Sequence, residues 1–208
     1  MPLVRKPTGQ SPAPASDAAS VLGNLVTGDT DARWAAARAA AELPGAVIAL
    51  AAALRNEGNS RVREAMFTSL ARIGTSESAD LLISFLRSDS ANLRAGALDA
   101  LRIMVGNMRG LLARLLGDRD VDMRILSCEL ARALPGPEAT TALCTLLSDE
   151  PEVNVCAAAI DVLAEVGDPQ ALPVLAACAQ RFRDAPFLGF AIRTATDRIN
   201  SQHPSPRA

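Results

Sequence analysis

One plan recurs along this chain about every thirty residues, and that periodicity restricts the fold more than any other feature. Glu42–Leu54, Ala71–Leu86, Ala131–Leu147 and Ala164–Cys178 each carry an Ala/Leu-rich run, a Gly or Pro turn and a second apolar run. Three of the turns follow a matching start, Asp31–Leu43, Ser60–Ile73 and Val121–Leu134, and Ala91–Met104 opens the remaining repeat. A unit this short cannot bury its apolar face alone, whereas stacked copies share one continuous core. The expectation is an all-α solenoid of about five antiparallel helix pairs with flanking helices, not a closed enzyme fold.

The register supports this. The last large residue of each first helix is Leu43, Ile73, Met104, Leu134 or Val166, at steps of 30, 31, 30 and 32. Apolar residues precede each by six positions: Ala37, Phe67, Leu98, Cys128 and Ile160. In the second helices the columns are Leu50, Leu82, Leu112, Leu143 and Leu175, then Leu54, Leu86, Leu116, Leu147 and Ala179. These are core stripes of amphipathic helices. Apolar residues make up 49 % of the chain but aromatics only 3 %, and alanine, the strongest helix former, carries much of the difference. No sustained period-two run predicts a strand.

Helices are expected at 17–27, then in pairs at 30–42 and 45–56, 60–73 and 76–88, 90–104 and 107–117, 120–134 and 137–148, 152–166 and 169–182, with a last helix at 186–200. Asp29, Asn59, Asp89, Asp118 and Asp149 stand where side-chain oxygens can cap first helices. Gly74, Gly136 and Gly167 fall where helices end, and Pro137 and Pro169 suit first turns. Residues 1–16 are Pro-rich and read as a disordered tail, 17–200 as the solenoid and 201–208 as a second flexible tail.

Composition narrows the function classes. The net charge of −2 provides no global positive field for nucleic acid. The N-terminus lacks the apolar run of a signal peptide, and no stretch is long and apolar enough to span a membrane. Four cysteines without Cys-x-x-Cys spacing suit reduced thiols in the cytoplasm. The Ala/Arg-rich composition is compatible with a GC-rich bacterial source.

The chain resembles the short HEAT-like repeats over residues 17–200. The resemblance is carried by Ala32-Arg33, Val62-Arg63, Leu93-Arg94 and Met123-Arg124, by the Ala-rich first helices, and by the Gly167–Leu175 link, Gly-Asp-Pro-x-Ala-Leu-Pro-x-Leu. It implies a right-handed superhelix with the second helices on a concave face. The fifth repeat departs from it, with Asn154 and Cys156 where the arginine would fall. The last helix, with Pro186, Arg193 and Arg198, is expected to be a solvent-facing cap.

The residues that could carry chemistry have simpler structural explanations. The arginine column (Arg33, Arg63, Arg94, Arg124) is expected to bond to Asp or Asn in neighbouring turns rather than to bind phosphate. His203 is the only histidine and lies in the expected C-terminal tail, so histidine-based metal sites and Ser-His or Cys-His catalysis have no centre. The HEAT-like hydroxylases with paired His-Glu iron motifs are excluded with them. Cys128, Cys144, Cys156 and Cys178 lie on four helices; Cys128 and Cys178 fall on core positions, and Cys144 faces the groove. Asp99, Glu129, Asp161 and Glu165 read as solvating charges. Trp34 is expected to pack against the leading helix rather than to anchor a partner.

The second helices are expected to expose Ile48, Ala51, Ala52, Ile83, Ser84, Arg87, Ala113, Arg114, Cys144, Thr145, Ala176 and Ala177. Of these, Ile48, Ala52, Ile83, Ser84, Arg87, Arg114, Cys144, Thr145 and Ala177 are the candidate partner-binding residues. A small-residue, nearly neutral face suits a helix or extended peptide that supplies its own large side chains. The leading expectation is therefore a non-catalytic scaffold or accessory subunit for another protein, with no cofactor and no metal. The resemblance leaves a bilin-lyase-like, cofactor-handling role as the alternative. Nucleic-acid binding, as in HEAT-like glycosylases, is disfavoured by the sparse arginines near second helices, Arg55, Arg87, Arg114, Arg181 and Arg183.

Overall fold

The computed structural model describes residues 15–106 and 110–203, with side chains from Asp17 onward. Most of the expected N-terminal tail and the segment after His203 lie outside those residues. Every regular element among the described residues is helical. The chain divides within its fifth helix into two compact units, Met1–Leu81 and Leu82–Ala208.

The first unit holds α1 (Ala15–Thr27), α2 (Thr30–Ala40), α3 (Ala46–Leu54), α4 (Ser60–Ile73) and the first half of α5 (Ser76–Leu86). Within it α2 packs on α1 and α4, and α3 packs on α1, α2 and α4. The second unit continues α5 and adds α6 (Ala91–Val105), α7 (Leu111–Leu116), α8 (Val121–Leu130), α9 (Gly136–Asp149), α10 (Val153–Val166), α11 (Leu172–Arg181) and α12 (Pro186–Gln202). There first helices pack on first helices, α6 on α8, α8 on α10 and α10 on α12, while α9 joins α7 and α11. Short 3-10 turns at Ala131–Ala133 and Pro169–Ala171 finish one helix and start another. α1 begins two residues before the expected boundary, and α12 runs two residues past it.

The expected core columns are largely buried. Leu50, Leu82, Leu112, Leu143 and Leu175 are all excluded from water, as are Leu54, Leu86, Leu116 and Leu147. Each contributes about 1.5–3 kcal/mol through burial. Ala179 and Leu98 are only half-buried. Ala51, expected on the exposed face, is 6 % exposed and belongs to the core instead. α3 is so rich in alanine that its buried stripe is wide: Ala46, Val47, Leu50, Ala51, Ala53 and Leu54 are all covered.

Two hydroxyls tether successive repeats through the apolar layer. The Ser69 hydroxyl on α4 donates to the Ala37 carbonyl on α2 at 2.7 Å. Thr140 on α9 accepts from the Asp168 N–H at 3.0 Å. Both residues are buried, and both hydroxyls have partners, which a dry interior requires.

Helix caps follow the expected chemistry with shifted positions. Asp29 and Asn59 cap α2 and α4 as expected. Ser90 and Asp120, rather than Asp89 and Asp118, cap α6 and α8. Glu152, not Asp149, stands at the cap of α10 and makes no side-chain cap bond. Gly74 closes α4 with φ +61°, a left-handed conformation that glycine adopts without a Cβ penalty. Gly136 instead opens α9. A Cβ there would lie 2.9 Å from the Val166 carbonyl oxygen, so the residue is small because α10 passes close by.

Candidate docking face

The four turns that join one helix pair to the next share one local device. A side-chain oxygen accepts from the N–H two residues on: Glu57 from Asn59, Ser88 from Ser90, Asp118 from Asp120 and Glu150 from Glu152. The arginine column fastens these turns from within. Arg63 donates to the carbonyls of Glu57 and Gly58, Arg94 to those of Ser88 and Asp89, and Arg124 to those of Asp118 and Arg119. Arg33 donates to the Gly28 carbonyl. The acceptors are therefore mainly backbone carbonyls of the preceding turn, not the Asp or Asn side chains expected from sequence. A guanidinium spreads several donors in a plane, which fits a loop of convergent carbonyls.

Where the turn carries glutamate, the arginine also reaches the far end of its own repeat. Arg33 binds Glu57 with both forks, at 2.8 and 3.2 Å, and Arg124 binds Glu150 at 2.8 and 2.9 Å. The hydrogen bond from Arg33 holds Glu57 below the usual carboxylate range despite burial, which opposes it. The same bond raises Arg33, and Glu150 likewise raises Arg124.

The fifth repeat replaces this arginine with Cys156, whose thiol sits 3.6 Å from the Glu150 carbonyl. The guanidinium comes instead from the second helix: Arg181 donates to the carbonyls of Leu147, Ser148 and Glu150 at 2.6, 2.7 and 3.1 Å. The departure noted in the sequence is thus an exchange of donors at a conserved geometry. Cys156 and Cys178 are buried against each other; hydrogen bonding from Cys156 lowers Cys178, and Cys156 is raised. Burial pushes Cys128 up to about 12 and raises Cys144. All four cysteines are free thiols, and Cys144 alone among them is partly exposed.

The carboxylates expected to solvate the first helices are paired instead. In the second unit they form a chain: Asp99 with Arg102 (2.9 Å), Arg102 with Glu129 (3.9 Å), Glu129 with Arg132 (3.0 Å), and Arg132 with Asp161 (2.7 Å) and Glu165. Burial would lower Arg132, but its bonds to Glu129 and Glu165 outweigh that and raise it. In the first unit Asp31 pairs with Arg61 and Glu42 with Arg72. Trp34 lies between Arg38 and Arg61, at 4.8 and 4.4 Å from its ring centre, so its ring takes a cation from α2 and another from α4.

On the second helices the candidate residues fall as follows. In the first unit Ile48 is 71 % exposed and Ala52 is exposed. In the second unit Ser84, Arg87, Arg114, Thr145 and Ala177 are exposed, and Ile83 and Cys144 half-buried. Arg87 is committed to Asp118 and Asp120, at 2.6 and 3.1 Å. Each of these positions is thus at least partly exposed, whereas Ala51 is buried.

Sequence reasoning did not find the cavity on that face. A groove of about 750 Å³ lies between α7 and α9, lined by Ala113, Leu116, Gly117, Pro137, Glu138, Thr141, Ala142, Thr145 and Leu146. Its hydroxyls are turned inward: Thr141 donates to the Pro137 carbonyl and Thr145 to the Thr141 carbonyl, at 2.9 and 2.8 Å. Beyond the groove Ser148 donates to the Cys144 carbonyl in the same way. These i to i−4 bonds leave the threonine methyls on the surface. The Thr141/Thr145 spacing was the available signal. No group of His, Cys, Asp and Glu among the described residues is arranged to hold a metal ion, and no helix among them is long and apolar enough to cross a membrane.

Comparison with known structures returns repeat proteins. An engineered protein is 18 % identical, covering 89 % of this chain and 97 % of its own, with a TM-score of 0.40. The complex of CpcE and CpcF of phycocyanin lyase from Nostoc sp. PCC7120 is 21 % identical over 84 % of this chain and 74 % of that one, TM-score 0.42. A designed armadillo repeat protein in complex with the peptide (KR)4 is 16 % identical over 87 % and 98 %, TM-score 0.42. No curated protein matches the sequence significantly. The family of HEAT repeats matches residues 18–102 and 108–186, most of the chain. With the helix pairs, the thirty-residue register and the arginine-fastened turns, that match makes this chain a member of the HEAT repeat family.

Proposed function

We propose that the chain is a non-catalytic interaction scaffold or accessory subunit, which takes a helix or extended peptide of another protein along its second-helix face. The observation that carries this reading is the groove between α7 and α9. It is apolar and has turned its own hydroxyls away, so it rewards large apolar side chains and offers little to a polar substrate. In the second unit the face comprises Ile83, Ser84, Arg87, Arg114, Cys144, Thr145 and Ala177; Ile48 and Ala52 are the corresponding positions of the first. We read the setting as the bacterial cytoplasm, where the four cysteines stay reduced.

Photo-crosslinking from Thr145 and Ala177, with exposed Ile103 on α6 as control, tests the reading. A protein cross-linked from the first two positions is then purified and titrated. Thr145→Glu/Ala177→Glu should weaken its binding by at least about tenfold, or about 1.4 kcal/mol. Cross-linking only from Ile103, or a chain that captures no protein yet binds a linear tetrapyrrole or a nucleic-acid duplex, overturns it.

A further inference from the structure

Two features of the second unit lack a counterpart, and they match each other. One is the α7–α9 groove, with the Glu138 carboxylate on its lining and no ionic partner for that carboxylate among the described residues. The other is the start of α12. Phe187 and Phe190 are 55 % and 67 % exposed there, two large apolar rings left in water on one short stretch of helix. Spaced by three, they share one helix face. A Cβ on Gly189 would lie 3.6 Å from Nη1 of Arg193, so the guanidinium lies back along the helix, and Arg193 itself stands three residues after Phe190, on the flank of the face the rings share. Arg193 has no ionic partner among the described residues either.

We infer that the groove receives α12 of a second copy of this chain. Phe187 and Phe190 enter the space between Ala113, Leu116 and Thr145, and Arg193 meets Glu138. Two rings each able to bury about 150–250 Å² suit a groove of about 750 Å³, and its inward-turned hydroxyls cost them no unpaired polar group. The opposite charges on the two surfaces favour the second copy over a foreign apolar segment. A Phe-to-Phe contact between copies would leave both the groove and Glu138 unmatched. The contact is heterologous: each copy offers one groove and one α12, so assembly grows head to tail and ends only where the rotation closes a ring. The inference rests on the second-helix face being a binding surface and names an occupant for it.

Sedimentation of the full chain from micromolar to millimolar concentration tests this. Phe187→Ser/Phe190→Ser removes the inserted rings, and Thr141→Lys/Thr145→Lys blocks the groove. All four positions are exposed, and circular dichroism checks that the folds survive. Wild type should gain mass with concentration, and each variant alone should stay monomeric. Their equimolar mixture should form a dimer and nothing larger, because one working groove then meets one working α12. Glu138→Lys should weaken assembly, and adding Arg193→Glu should restore it. A wild type that stays monomeric, an oligomer that survives either variant, or a mixture that forms no dimer overturns the inference. If wild type stays monomeric while Thr145→Glu/Ala177→Glu still loses its cross-linked partner, this inference alone falls and the scaffold reading stands.

Discussion

Removing Arg124 should destabilise the protein far more than removing any exposed ion pair. Arg124→Met keeps the aliphatic stem and deletes both bonds to the Glu150 carboxylate and the bonds to the turn carbonyls. The Glu150 side chain is 3 % exposed, so its charge would remain buried with a single donor, the Glu152 N–H at 3.0 Å. An uncompensated buried charge costs about 3–5 kcal/mol, a large share of a domain's total of about 5–15 kcal/mol. Asp31 and Arg61, both well exposed, should by comparison contribute about 0–1 kcal/mol. Glu150→Gln is milder, at about 1–3 kcal/mol, because the amide oxygen still accepts from Glu152 and Arg124 keeps its carbonyls. The double variant should be more stable than Arg124→Met alone, by about 1–3 kcal/mol, since no stranded charge remains. Urea unfolding of the four proteins at neutral pH measures this, with the midpoint falling and the slope unchanged. A loss under about 1 kcal/mol for Arg124→Met, or strict additivity in the double variant, would refute the claim that this pair is desolvated.

Three further outcomes follow from the same geometry. Glu57 is held below its unfolded value by Arg33, so its contribution is complete above the ordinary carboxylate range and is lost as pH falls through the folded value; thermal melts from neutral to acid pH should show a shallower acid decline in Arg33→Gln than in wild type. Gly136→Ala should cost about 1–3 kcal/mol, because its Cβ must displace the α10 backbone at the Val166 carbonyl, and calorimetry that finds the variant as stable as wild type would contradict that close approach. In thiol titration the native protein should expose one thiol, that of half-buried Cys144, while Cys128, Cys156 and Cys178 react only after unfolding; a Cys144→Ser variant that still labels rapidly would show otherwise.

Repeat length, helix pairing and the buried leucine columns were legible without coordinates, because a thirty-residue amphipathic unit has few ways to cover its apolar stripe. The outward face of the second helices was legible for the same reason: Ile48, Thr145 and Ala177 fall where the 3.6-residue period puts them, and Ala51 misled only because an all-alanine stretch has no apolar contrast. What each polar group bonds to could not be read that way. Arg63, Arg94 and Arg124 have equivalent sequence positions, yet of these three only Arg124 also binds a carboxylate, because the turn at the far end of its repeat carries Glu150. Arg181 takes over the fifth turn from a helix some thirty residues further along the chain. The groove is likewise absent from any sequence window, because it is the space between α7 and α9. Periodic burial is a local property that the order of residues determines on its own. Hydrogen-bond partners and cavities arise between segments distant in sequence, and only their packing decides them.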